Sequence, residues 1–224
     1  IRDSTNGGSG ALEVSDFVLS VSGGTAAIAN SGTPASIAGD GVLNFTENTQ
    51  PGIFLVSYAI FNVIKKETSF DINKANFFAG HSLGEYSALA CSDVVSFKDT
   101  IKLLKIRGRA MQNAVPKNEG GMVAILGEDI NKIEELIANK KPKINCFLAN
   151  DNSNGQVVVS GKIEDLQELT NQLKKLNIKN ISLPVSAPFH CILMNPATKI
   201  MDSELKKVSF AVPNNLICLL YTSP

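Results

Sequence analysis

Gly80-His81-Ser82-Leu83-Gly84 sets a serine between two glycines. An apolar run, KANFFAG, precedes it, and a helix-forming run, LGEYSALACSDV, follows it. A strand that feeds directly into a helix forces a strained turn at the residue between them, and that turn lifts the serine hydroxyl clear of the backbone. Small residues two positions to either side are expected to relieve the crowding. Backbone N–H groups at the helix start then face a developing oxyanion. The chemistry is nucleophilic attack by Ser82. The bland alternative is a packing turn with an incidental serine.

A serine nucleophile needs a base. The chain has two histidines. His81 adjoins Ser82, so a tight turn should aim it elsewhere, where it shapes the turn or the rim of the site. His190, in PVSAPFHC, is the remaining candidate, although a lone histidine is often structural. No acidic residue is placed to orient it, so a Ser–His dyad fits better than a triad, with the imidazole held by a backbone carbonyl.

Arg107 is the third informative residue. On a helix over 96–115, capped by Ser96, Lys102, Lys105, Arg109 and Gln112 share one solvated face. Arg107 lies three or four positions from Leu103, Leu104 and Met111, on the apolar stripe. An inward arginine is costly unless paired. Its partner is either an internal carboxylate such as Glu85 or an anionic substrate held bidentately. A serine that attacks an acyl group and an arginine that grips a carboxylate on that group together fit transfer of a dicarboxylic half-thioester or half-ester.

The elements that must carry these residues can be read along the chain. A helix is expected from near Pro51 to Lys66. A buried strand at 74–80, a helix at 83–94 and the helix at 96–115 follow. A different rhythm then starts: a strand at 121–127, a helix at 129–141, strands at 144–150 and 155–161, a helix at 162–177 and a strand at 178–185. This β-α-β-β-α-β order predicts a ferredoxin-like unit. A last helix covers 195–208.

Composition narrows the class. The 224 residues carry no net charge and are 44% hydrophobic, enough for one sizeable core or a core with a smaller lobe. No basic field points to nucleic acid. Four scattered cysteines and no secretory leader read as reduced thiols in a cytoplasmic protein. The run IFLVSYAIFNVI is too short to span a bilayer, so no membrane role is expected. No metal-ligand spacing is visible. Residues 1–64 hold one basic residue, Arg2, against twenty afterwards, and half of the first forty residues are Gly, Ser or Ala. That shift marks 1–40 as a flexible arm or a foreign segment.

FTENTQP, GHSLGEYSALA, IRGRAMQNAVP, NEGGMVAILG, ANDNSNGQVVVSG and LPVSAPFHCILM together closely resemble the bacterial malonyl-CoA:acyl-carrier-protein transacylases of dissociated fatty acid synthesis. The resemblance runs from about Val42 to about Asn215. It implies an α/β fold: an α/β-hydrolase-like core (41–117, resumed at 187–215) with an inserted ferredoxin-like lobe (118–186). Residues 1–40 and 216–224 are set apart as atypical, because the opening glutamine block and the later histidine-orienting residue of the family are not found in them. The resemblance implies Ser82 as nucleophile and His190 as base. It implies Arg107 as the clamp on the malonyl carboxylate, Gln50 near the site and Met111 in the pocket wall. It makes the Leu83 backbone N–H one oxyanion donor and Phe189 the residue of the malonyl-selecting version. Malonyl-CoA and acyl carrier protein are the implied partners of a monomer, in a ping-pong reaction that needs no cofactor. Lys174, Lys175 and Lys179 could dock an acidic carrier, or simply form a solvated face. A polyketide-synthase acyltransferase domain, and a truncated chain that binds without turnover, are the alternatives.

Overall fold

The computed structural model describes residues 18–21, 24–27, 46–69, 71–140, 142–185 and 187–219. The expectations for the remainder of 1–40, for 41–45 and for 220–224 lie outside the described residues. Within the first forty, β1 (Val18–Val21) and β2 (Gly24–Ala27) pair with each other as an antiparallel ladder.

The first part of the site is built on α1 (Thr46–Glu67), β3 (Phe77–Gly80), α2 (Gly84–Cys91) and α3 (Phe97–Asn113). The helix expected from Pro51 begins five residues earlier, and Pro51 lies inside it. A proline there removes one early backbone bond. Side chains fixed on α3 compensate: Lys105 Nζ donates to Asn48 Oδ1 at 2.5 Å, and Arg109 Nε donates to Glu47 Oε2 at 3.1 Å. The Glu47 carboxylate is held below the usual range, chiefly by its hydrogen bond from Arg109. Lys105 and Arg109 therefore join two helices rather than only facing water.

α1 turns a stripe at i, i+4 and i+8 toward α3. Gln50 and Phe54 are buried on it, and the Tyr58 ring lies 5.6 Å from that of Phe54 and 4.9 Å from that of Phe97. Phe54 is fully buried, which stabilises by about 1.5–3 kcal/mol over leaving it exposed. Ser96 caps α3 as expected, its side chain accepting from the Asp99 N–H at 3.0 Å. An added Cβ at Gly108 would collide with the backbone of Thr46 and Glu47. The glycine thus permits the close crossing of α3 over the start of α1.

The second unit follows the predicted order: β4 (Gly120–Leu126), α4 (Ile130–Ala138), β5 (Cys146–Ser153), β6 (Gln156–Lys162), α5 (Ile163–Lys175) and β7 (Lys179–Ser182). Its four strands are antiparallel in the order β5-β6-β4-β7. Alternation along β4 and β6 divides the residues between two faces. Val123, Ile125, Val157 and Val159 bury against Ile133 of α4 and Leu166, Leu169 and Leu173 of α5. Met122, Ala124 and Val158 face the other way, with Ala149, and pack against Leu183, Val185 and Phe189.

The chain then runs through His190 into α6 (Asn195–Leu205), where Met194 and Ala197 pack on Ala110 and Met111 of α3. β8 (Leu216–Leu219) pairs in parallel with β3, from Phe77↔Leu216 to Gly80↔Leu219. These four residues, set apart from the sequence as the start of an atypical tail, form a strand beside the one that carries the serine. The β-branched Ile217 at its centre suits a strand.

Candidate active site

Ser82 sits between the end of β3 and the start of α2 with φ +54°. Of the five non-glycine residues with positive φ among the described residues, Asp93, Asn118 and Asn177 are of types that tolerate this region through local side-chain bonding. Ser82 does not share that advantage, so the elbow holds it there. Gly80 makes the turn possible, since an added Cβ would overlap the Gly84 carbonyl. The expectation for the second glycine needs correction. An added Cβ at Gly84 meets nothing within 4 Å, because only the Gly84 backbone takes part in the close approach.

The first turn after the serine is tight. The N–H groups of Gly84, Glu85 and Tyr86 donate to the carbonyls of His81, Ser82 and Leu83 at 2.9, 3.2 and 3.1 Å. The Leu83 N–H takes no part in these bonds and lies at the positive end of α2.

Arg107 reaches the serine from α3. Its Nη2 donates to Ser82 Oγ at 3.2 Å and its Nη1 to Gln50 Oε1 at 2.5 Å. Its Cζ lies 5.7 Å from the centroid of the Tyr86 ring, a cation–π distance. Glu85 is not its ion-pair partner, and among the described residues no carboxylate is. Burial pulls the guanidinium below its ordinary value, with the Tyr86 and Glu85 charges opposing. An arginine remains protonated through such a shift. Gln50, almost fully buried, spans two site residues, since its Nε2 also points to Met111 Sδ at 3.4 Å.

His190 enters from the loop before α6 with φ +55°. Burial first, then the Arg107 and His81 charges, push its pKa down to about 4. The imidazole is therefore neutral near pH 7 and able to accept a proton. Ser82, Leu83, Gln50, Arg107, Met111, Phe189 and His190 line one cavity of about 250 Å³. A second cavity of about 550 Å³ shares Arg107, Met111 and His190 and opens along α6.

Two details differ from the expected dyad. No hydrogen bond joins Ser82 to His190 among the described residues; the serine oxygen accepts from Arg107. Nor does a carbonyl hold the His190 ring among the described residues. The adjacent Phe189 carbonyl turns toward the small sheet, where it accepts from Ser160 Oγ at 2.5 Å. His81 points to that sheet too: Asn150 Nδ2 donates to its Nε2 at 3.4 Å. Burial pushes Cys91 up to about 11, Cys146 up to about 12, and Cys191 upward, so these three thiols offer no rival nucleophile near neutral pH.

Tyr86, Asn150 and Ser160 were not singled out from sequence. Tyr86 was accessible, as it stands four residues after Ser82 on a helix. Asn150 and Ser160 gave no signal, because their partners lie 69 and 29 residues away. Lys174, Lys175 and Lys179 are exposed. Among the described residues no group of three His, Cys, Asp or Glu could hold a metal ion, and no helix is long and apolar enough to cross a membrane.

The sequence profile described as the acyl transferase domain matches residues 10–221. The chain belongs to that family. It is 39% identical over 172 residues to a malonyl CoA-acyl carrier protein transacylase of Salmonella typhimurium, covering 76% of this chain and 55% of the relative. A Staphylococcus aureus protein of the same name is 40% identical over 184 residues, 79% of this chain and 58% of the relative. Among solved structures, an acyl-carrier-protein-S-malonyltransferase from Bartonella henselae superposes with TM-score 0.73 at 39% identity, over 79% of this chain and 56% of that one. A malonyl-transacylase in complex with its type II PKS acyl-carrier protein gives 0.75 at 35% identity, over 82% and 59%. The acyl transferase chain described here thus spans just over half the length of the relatives it matches, and its fold is mixed α/β, as theirs is.

Proposed function

We propose that this chain carries the catalytic centre of a malonyl-CoA:acyl-carrier-protein transacylase. The observation that carries the reading is Arg107: a half-buried cation with no carboxylate of its own, within hydrogen-bond distance of the nucleophile. An enzyme acting on plain acyl groups has no use for an unpaired charge there, whereas a malonyl carboxylate neutralises it through two parallel hydrogen bonds.

The chemistry then runs in two halves. The malonyl carboxylate binds Arg107, and the thioester carbonyl comes to rest over Ser82. A His190 ring nitrogen takes the Ser82 proton as Oγ bonds to the carbonyl carbon. The oxyanion is met by the Leu83 N–H. The C–S bond breaks, and the proton passes from His190 to the departing CoA thiolate. The phosphopantetheine thiol of the carrier repeats the steps in reverse: its sulfur bonds to the acyl carbon as His190 takes its proton, and His190 returns that proton to Ser82 Oγ as the acyl C–O bond breaks. No cofactor takes part, as malonyl-CoA is the substrate. The architecture proposed is an α/β-hydrolase-like core with an inserted ferredoxin-like lobe, supported by the serine turn and the β5-β6-β4-β7 order. A polyketide carrier protein is the second possible acceptor, supported by the likeness to the solved carrier complex.

Incubation with malonyl-CoA followed by intact mass tests the reading. One malonyl group should appear on the chain and vanish in Ser82→Ala. A folded wild-type chain that acquires no adduct overturns it. Offering fatty acid and polyketide carriers in competition separates the two acceptors.

A further inference from the structure

The direction of the His190 imidazole depends on the peptide just before it. With φ at +55°, His190 sits in the left-handed region, and its backbone relaxes to an ordinary negative φ only if that peptide turns, which shifts the backbone that carries the ring. The carbonyl of that peptide belongs to Phe189, and Ser160 Oγ donates to it at 2.5 Å. Ser160 is fully buried on β6. Strand alternation sets it on the same face as Val158, the face that packs against Phe189. It lines neither cavity that holds His190. Within the same turn, the Phe189 N–H is taken by the Ala187 carbonyl at 3.1 Å, and Cys191 Sγ donates to the Pro188 carbonyl at 3.1 Å. Ser160 is thus the one hydrogen bond that crosses from the small sheet to the peptide before His190 among the described residues.

We infer that Ser160 is a positioning residue: its hydroxyl locks the Phe189–His190 peptide and so aims the imidazole into the cavity of Ser82. A buried carbonyl left without its donor turns to find another, and the neighbouring peptide turns with it. The small sheet thereby takes part in catalysis without touching substrate. The inference rests on the acyl-transfer reading for the reaction it serves, but the position of the ring is read without turnover.

Two histidines make the test direct, because imidazole NMR of the full chain gives two titrations, assigned with His190→Ala. The charged and titratable groups around His190 are Arg107 on α3, His81 on the elbow, and Tyr86 and Cys191 in the cavity wall. In the wild type, His190 should titrate near 4. In Ser160→Ala it should rise toward the ordinary value of about 6.5, as the ring leaves its buried place beside Arg107. Ser160→Thr, which keeps the hydroxyl, should restore the low value. The rate of Ser82 loading should fall by about 10²-fold in Ser160→Ala with the KM for malonyl-CoA unchanged. A folded Ser160→Ala whose His190 titration is unmoved overturns the inference. If that variant does not fold, Ser160→Cys keeps the volume and weakens the donor. It should show the same upward shift, and an unmoved titration there overturns the inference equally. A wild type that never loads malonyl defeats the acyl-transfer reading, while the titration still decides the role of Ser160.

Discussion

Gln50 and Arg107 act as one hydrogen-bonded unit. The arginine Nη1 donates to the glutamine Oε1 at 2.5 Å, and the glutamine Nε2 reaches Met111 Sδ at 3.4 Å. The guanidinium is therefore fixed in direction before any substrate arrives. Fixing it in advance removes rotamer entropy from binding.

Replacing Gln50 tests that arrangement. A hydrogen bond to a charged group contributes about 1.5–3 kcal/mol, so Gln50→Ala should raise the KM for malonyl-CoA by at least about 10-fold. Gln50→Glu should do more harm, since it supplies Arg107 with a carboxylate that competes with the substrate. Steady-state loading of Ser82 measures both. Equal KM values for all three proteins would show that the contact has no role in binding.

The two glycines of the elbow should behave oppositely. Gly80→Ala drives a Cβ into the Gly84 carbonyl and should cost about 3 kcal/mol or more, with loss of Ser82 loading. Gly84→Ala meets no neighbour and lies in the first turn of α2, where alanine is the better helix former by up to about 1 kcal/mol. Thermal melts of the two variants should move in opposite directions.

Gly108→Ala should separate α3 from the start of α1, because the new methyl meets the Thr46 and Glu47 backbone. The Gln50–Arg107 contact depends on that crossing. The variant should lose about 1–3 kcal/mol of stability and bind malonyl-CoA more weakly. Unchanged affinity in a destabilised variant would uncouple the crossing from the site.

The low pKa of His190 fixes the direction of its pH dependence. A base with a pKa of about 4 stays free above pH 5, so loading of Ser82 should be flat from pH 5 to 8 and fall below. For stability the unfolded histidine, with an ordinary pKa of about 6.5, binds a proton that the folded one resists. His190 therefore adds stability above about pH 6.5. That contribution is lost progressively as the pH drops toward 4. A pH series of denaturant midpoints, compared with His190→Ala, checks the sign.

Local patterns made much of this readable. Ser96 and Asp129 begin their helices as caps should, with side chains accepting from Asp99 and Lys132 N–H groups. The small unit keeps its strand and helix order because amphipathic periods of 2 and 3.6 leave little choice. Pro51 reads as a first-turn residue, whereas α1 begins at Thr46 because the contacts that extend it come from α3. Gly84 reads as a residue that relieves crowding, but only the three-dimensional turn locates that crowding, and it lies at Gly80.

The sequence by itself determined the strand-to-helix turn at Ser82, the inward face of Arg107 and the order of the elements around them, because each depends on neighbours within a few residues. Only the tertiary structure decided what those side chains touch. Arg107 rests on Ser82 and Gln50 rather than on Glu85. Ser160 donates to the Phe189 carbonyl just before His190, and among the described residues no carbonyl holds the His190 ring. Such contacts join residues tens of positions apart. Periodicity can say which face of an element is buried, but which groups meet across that face depends on how whole elements cross.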